Sequence, residues 1–229
     1  MEFYLSSYKI GGEKEVQQLK DLIPPNKKTA YISNALDFSD DAERRKQSEQ
    51  SDTDQLVAVG LDVETLDLRD YFDQPEKLEK DIKKYGVIWV RGGNVFVLRQ
   101  AMKLSGFDKV LKKLAKGDND VLYGGYSAGV CVLAPTLKGF EIIDDITKHP
   151  YPQQPDLIWE GLNLIDYSIV PHYQSSHPET ELANKVVEQY EKDGIPFRAL
   201  KDGEVIIIRS NFLELKKRSI CLNKKTILY

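Results

Sequence analysis

The segment Val121-Leu122-Tyr123-Gly124-Gly125-Tyr126-Ser127-Ala128-Gly129-Val130 leads an apolar run into Gly-x-Ser-x-Gly and then into an apolar helix start. That is the context of a nucleophile elbow, a sharp strand-to-helix turn that lifts a serine hydroxyl above a sheet. The turn strains the serine backbone and crowds its neighbours, so small flanking residues are required, and Gly125, Ala128 and Gly129 supply them. Ser127 is therefore the candidate nucleophile, and the chemistry would be acyl transfer. At a helix N-terminus the Ala128 N–H can donate to a developing oxyanion, which the helix dipole also favours. A second donor is expected from Gly92 or Gly93, in Arg91-Gly92-Gly93-Asn94 directly after the apolar run Val87-Val90. Taken singly, each motif is as often an ordinary turn as a catalytic one.

A serine hydroxyl needs a base to take its proton, and the chain has three histidines. His172, in Ile169-Val170-Pro171-His172-Tyr173, follows a candidate strand and so is expected at the same sheet edge as Ser127. His177 lies in a Ser-rich loop and His149 in a Pro-containing one. An acid should orient the imidazole, and those between serine and histidine are Glu141, Asp144, Asp145, Asp156, Glu160 and Asp166. Asp144 and Asp145 follow the apolar pair Ile142-Ile143, which could anchor them at the base of a loop; a solvated turn is the alternative.

Short apolar runs alternating with amphipathic segments are the pattern of parallel strands covered by crossover helices, so the fold class is α/β. Strands are expected at Phe3-Ser6, Thr29-Ser33, Val63-Leu68, Val87-Val90 and Val121-Tyr123. Helices are expected near Lys14-Leu22, Asp40-Val59, Pro75-Lys84, Val95-Lys103 and Phe107-Lys116. Asp144 to Asp156 reads as a long surface loop. Strand Tyr167-Val170 and helix Thr180-Lys192 precede a β-rich tail at Phe197-Leu200, Val205-Arg209, Ser219-Leu222 and Thr226-Tyr229, with Asp202-Gly203 as a hairpin turn.

The 229 residues suit a single α/β domain, and a net charge of -4 provides no basic footprint for nucleic acid. Two cysteines and three histidines make neither a disulfide framework nor a convincing zinc site. No stretch approaches the roughly 20 apolar residues of a membrane span, so a cytoplasmic protein is expected.

Taken together, the motifs resemble those of the serine peptidases typified by dipeptidase E and cyanophycinase. They are the opening strand ending in Leu5-Ser6-Ser7, Gly92-Gly93-Asn94-Val95-Phe96-Val97-Leu98, Gly125 to Gly129 with Pro135 beyond, and Gly161-Leu162-Asn163-Leu164 leading to Pro171-His172. The resemblance spans nearly the whole chain. It implies a class I glutamine amidotransferase-like fold, three-layered with a mostly parallel central sheet, and a short peptide as substrate without cofactor or metal. It carries Ser127 over as nucleophile and His172 as base, and places the third member at Asp145, with Asp144 as the fallback. Aspartyl specificity would need an arginine after the histidine, where Pro178-Glu179-Thr180-Glu181 puts the acid Glu181 instead. Monomer and homodimer are both compatible with this reading. An α/β-hydrolase esterase shares the elbow, but its base usually lies near the C-terminus, whereas His172 follows Ser127 by 45 residues with 57 remaining. A catalytically silent binding module of the same fold is the remaining alternative.

Overall fold

The apolar residues of each central strand alternate between two cores, and this sets the layering. In β4 (Val87–Val90) all four residues are buried. Ile88 and Val90 join Phe3, Leu5, Ala30 and Ile32 on one face, while Val87 and Trp89 join Tyr4, Tyr31 and Leu122 on the other. Side chains on successive strand residues point to opposite faces, so a strand covered on both sides reads as a continuous apolar run.

In this computed structural model, which describes residues 1–209, six strands form the main sheet: β1 (Glu2–Ser6), β2 (Lys28–Ile32), β3 (Asp62–Thr65), β4, β5 (Leu122–Tyr126) and β8 (Val205–Ile208). Their order is β3-β2-β4-β5-β1-β8, all parallel except β8, which runs antiparallel to β1. Helices α1 (Glu13–Leu22) and α2 (Ala42–Ala58) bury Leu19, Leu22 and Leu56 against the face carrying Tyr31 and Trp89. On the opposite face pack α3 (Pro75–Asp81), α4 (Val95–Ser105), α5 (Phe107–Lys116) and the single-turn α6 (Ala128–Cys131). This is the expected three-layer α/β arrangement. Among the described residues no helix is long and apolar enough to cross a membrane.

The C-terminal part departs from the sequence reading. β6 (Ser168–Val170) does not join the main sheet but pairs in parallel with β7 (Phe197–Ala199) in a separate two-stranded sheet. It packs against α7 (Thr180–Asp193) through Val170, Ala183, Val186 and Tyr190. Because β7 and β8 belong to different sheets, Asp202-Gly203 makes a turn but not a hairpin. A local turn signal specifies the reversal of the chain and not the partner of the strand that follows. The expected strands Ser219-Leu222 and Thr226-Tyr229 lie outside the described residues.

Candidate active site

Ser127 stands between β5 and α6 with φ 47° and ψ −120°, a left-handed backbone that a side-chain-bearing residue adopts only when its surroundings enforce it. The enforcement comes from close backbone packing: a Cβ on Gly129 would lie 2.0 Å from the Val90 carbonyl oxygen at the end of β4. The adjoining turn approaches just as closely, since a Cβ on Gly92 would sit 2.8 Å from the Ser127 Cβ. Ser127, Gly92, Gly93 and His172 line one cleft of about 720 Å³, with Ala128 opening the helix beneath the serine. Four of the residues singled out from the sequence, Gly92, Gly93, Ser127 and His172, thus share the lining of one cleft.

His172 enters this cleft from β6 and not from the main sheet. Its own backbone is left-handed at φ 62°, its side chain is 2 % exposed, and its N–H donates to the Ser7 Oγ at 2.9 Å. The imidazole Nδ1 meets Asp202 Oδ1 at 2.8 Å. The carboxylate is held in turn by the Ser7 hydroxyl, donating at 2.8 Å, while the Asp202 N–H donates to the Ser175 Oγ, also at 2.8 Å. Ser7 follows β1 and Asp202 follows β7, so the ends of two sheets grip the histidine together. Burial, then the adjacent His177, holds the His172 imidazole below its usual 6.5, against the upward pull of Asp202. A base with that pKa is neutral at pH 7, as proton abstraction requires.

The structure does not bring Asp145 or Asp144 to the histidine. Asp145 is exposed, and its Oδ1 accepts from the N–H and the hydroxyl of Thr147, bonds that lower its pKa. Asp144 accepts the Val95 N–H at 2.8 Å, and burial, followed by the negative charge of Glu179, raises its pKa to about 7. The Asp145 carbonyl accepts from the Asn94 amide at 2.9 Å, so this loop braces the start of α4 and the Gly92-Gly93 turn before it. An acid can satisfy the spacing expected after an elbow and still find its partner on a neighbouring helix N-terminus. His149 is likewise elsewhere, beside Gln100.

Three features of the cleft were given no role from the sequence. His177 stacks on His172 at 3.7 Å and 11°, and its Nδ1 accepts the Glu179 N–H at 3.2 Å. Glu179 places Oε2 3.9 Å from His172 Nε2, whereas Glu181, the acid singled out from sequence, is exposed and lines no part of the cleft. Arg91 is buried, paired with Asp52 at 3.1 Å, and its guanidinium also donates to the Tyr126 hydroxyl and to Ser48. Tyr126 and Tyr31 donate to the same Asp52 oxygen at 2.6 and 2.9 Å, which fixes the strand end carrying the Gly-Gly turn. His172, His177 and Glu179 lie close enough together to suggest a metal site. Stacked rings, however, direct their in-plane lone pairs in parallel and not at a common centre, and each Nδ1 already has a partner.

Comparison with known proteins identifies the family. The model of peptidase family S51 matches residues 4–215. An uncharacterized peptidase of Listeria monocytogenes is 31% identical over 165 residues, covering 72% of this chain and 75% of its own. One from Listeria innocua is 30% identical over 155 residues, covering 67% and 66%. The crystal structure of a provisionally named peptidase E from Listeria monocytogenes superposes with a TM-score of 0.69 at 25% identity, covering 91% of this chain and 94% of that one. A peptidase from an acI-B1 actinobacterium shares the fold, with a TM-score of 0.63 at 16% identity over 91% of this chain and 83% of that one. With a family model covering nearly its whole length and relatives named as peptidases, this chain belongs to peptidase family S51 and is a serine-family peptidase of the dipeptidase E type.

Proposed function

We propose that the protein hydrolyses a peptide bond of short peptides through a Ser127-His172-Asp202 triad and an acyl-enzyme. The observation that carries this reading is the 2.8 Å contact between His172 Nδ1 and Asp202, made at the wall of the cleft that Ser127 lines. With Nδ1 committed to the carboxylate, Nε2 is the nitrogen left to take the hydroxyl proton. Ser127 Oγ then bonds to the substrate carbonyl carbon, and the oxygen that gains the negative charge rests on the N–H groups of Ala128 and of Gly92 or Gly93. The imidazolium returns its proton to the departing amine as the C–N bond breaks. Water, deprotonated by the same Nε2, cleaves the ester and restores the serine. In this reading Asp202 takes the place that Asp145 was expected to hold.

A fluorophosphonate probe together with a dipeptide library tests the proposal. Wild type should label and hydrolyse, Ser127→Ala should do neither, and His172→Ala should lose at least about a thousandfold in kcat/KM. Wild-type protein that neither labels nor hydrolyses, or His172→Ala at full activity, would overturn it.

A further inference from the structure

The wall of the cleft formed by α2 carries cations that the triad does not use. Arg44, Ser48, Ser51 and Asp52 recur at the spacing of one helical face, and all four line the cleft. The Arg91 guanidinium meets this face: Nε pairs with Asp52 at 3.1 Å and Nη2 donates to Ser48 Oγ at 3.0 Å, while Nη1, buried, has no hydrogen-bond partner among the described residues. A buried charged donor left unpaired is unfavourable until an acceptor arrives. Lys9, in the loop after β1, sends Nζ to Ser51 Oγ at 3.1 Å. Ser48 and Ser51 are three residues apart on the helix, so the Arg91 and Lys9 nitrogens that they hold are neighbours. Asp52 is committed to Arg91 and to the hydroxyls of Tyr126 and Tyr31, and Arg45 to Asp37 and Glu49. Lys9 and Arg44 form no ion pair among the described residues, and they leave this wall with a net positive charge.

We propose that Lys9, Arg44 and the unpaired Nη1 of Arg91 bind the C-terminal carboxylate of the peptide, on the amine side of the scissile bond. The inference rests on the peptidase reading above. One aromatic ring separates these cations from Ser127: the Tyr126 hydroxyl accepts from Arg91 Nη2 at 2.9 Å, and a Cβ on Gly92 would meet Tyr126 Cε2 at 2.9 Å and the Ser127 Cβ at 2.8 Å. That chain of contacts spans at most about three residues of extended peptide, so a carboxylate one to three residues beyond the scissile bond reaches the cations. A carboxylate accepts from guanidinium and ammonium donors together, which satisfies Nη1 and neutralises the wall. The C-terminal carboxylate is the negative charge that every unmodified short peptide carries, whatever its side chains. Glu179, 3.9 Å from His172 Nε2, repels such a charge from the imidazole wall.

The test compares two short peptides that differ only in whether the C-terminus is a free carboxylate or an amide, each with wild type and the double variant Lys9→Met, Arg44→Gln. A second pair, both amidated, differs only in Glu against Gln beyond the scissile bond, and fluorophosphonate labelling checks that Ser127 is intact in both proteins. Charge-assisted hydrogen bonds of this kind correspond to roughly a 10- to 100-fold preference for the free carboxylate in kcat/KM. Wild type should show that preference, and the double variant should reduce it to within about threefold of unity, mainly through a rise in KM for the free peptide, while Ser127 still labels. Equal hydrolysis of acid and amide by wild type would overturn the proposal and leave the triad standing. So would a preference that survives in the double variant, which would place the carboxylate elsewhere, or a preference for Glu over Gln without one for the free terminus. Labelling of Ser127 with hydrolysis of no peptide would overturn the peptide reading itself, and this proposal with it.

Discussion

Replacing Asp202 by Asn keeps the shape of the side chain and removes the charge that the imidazolium meets after it takes the serine proton. Across the 2.8 Å contact, an effective dielectric of about 20 gives roughly 6 kcal/mol for the pair. Asp202 is 24% exposed, and water screens part of that interaction, so about 4–5 kcal/mol is the working value. The pair acquires full strength only when the imidazole is charged, so the loss falls on kcat, at about 10³- to 10⁴-fold. The Asn amide can also donate to Nδ1, which moves the imidazole proton to Nε2 and leaves no base facing Ser127. Steady-state hydrolysis of a short peptide and the rate of fluorophosphonate labelling both report the effect, with Asp145→Asn as the matched control. Because Asp145 is exposed and bonded to Thr147, the control should stay within about threefold of wild type. An Asp202→Asn enzyme within tenfold of wild type, or an equal loss in Asp145→Asn, would refute the assignment.

Two further outcomes follow from the titrating groups. The stacked His177 contributes to holding the His172 pKa down, so His177→Ala should let it rise and shift the acid limb of the kcat/KM profile to higher pH; an unmoved limb would rule out that coupling. Asp144 is raised by burial from 3.8 to about 7, so between those values the native protein retains a proton that the unfolded chain has released, and stability is lost as pH rises through that window. Asp144→Asn keeps an acceptor for the Val95 N–H without this cost. It should raise the melting temperature at pH 8 and not at pH 4, by up to about 4 kcal/mol in stability, and an equal change at both pH values would contradict the account.

Much of the site was legible because its constraints are local. A serine in a strained turn needs small neighbours within two residues, and Gly125, Ala128 and Gly129 announce that need in any context. Gly92 is legible because it opens a Gly-Gly turn just beyond an apolar strand. His172 was found by its place after a strand even though β6 proved to belong to a second sheet, because both sheets end at the same cleft. Asp202 was hidden on two counts: it follows the histidine instead of preceding it, and Asp-Gly is a common turn signal that explains itself without chemistry.

By itself the sequence determined the alternation of strands and helices, the strained strand-to-helix turn at Ser127, and the glycine turn beside it, since backbone strain and apolar periodicity act over a few residues. Only the tertiary structure decided which carboxylate meets the His172 imidazole and which groups line the cleft around it. Ser7, His172, Glu179 and Asp202 are far apart along the chain or carry no spacing rule, and they meet because the ends of β1, β6 and β7 and the start of α7 converge on one cleft. Spacing alone could not distinguish Asp145 from Asp202. The choice depends on which acid finds the imidazole and which finds a hydroxyl or a helix N-terminus, and that is settled only when the layers pack.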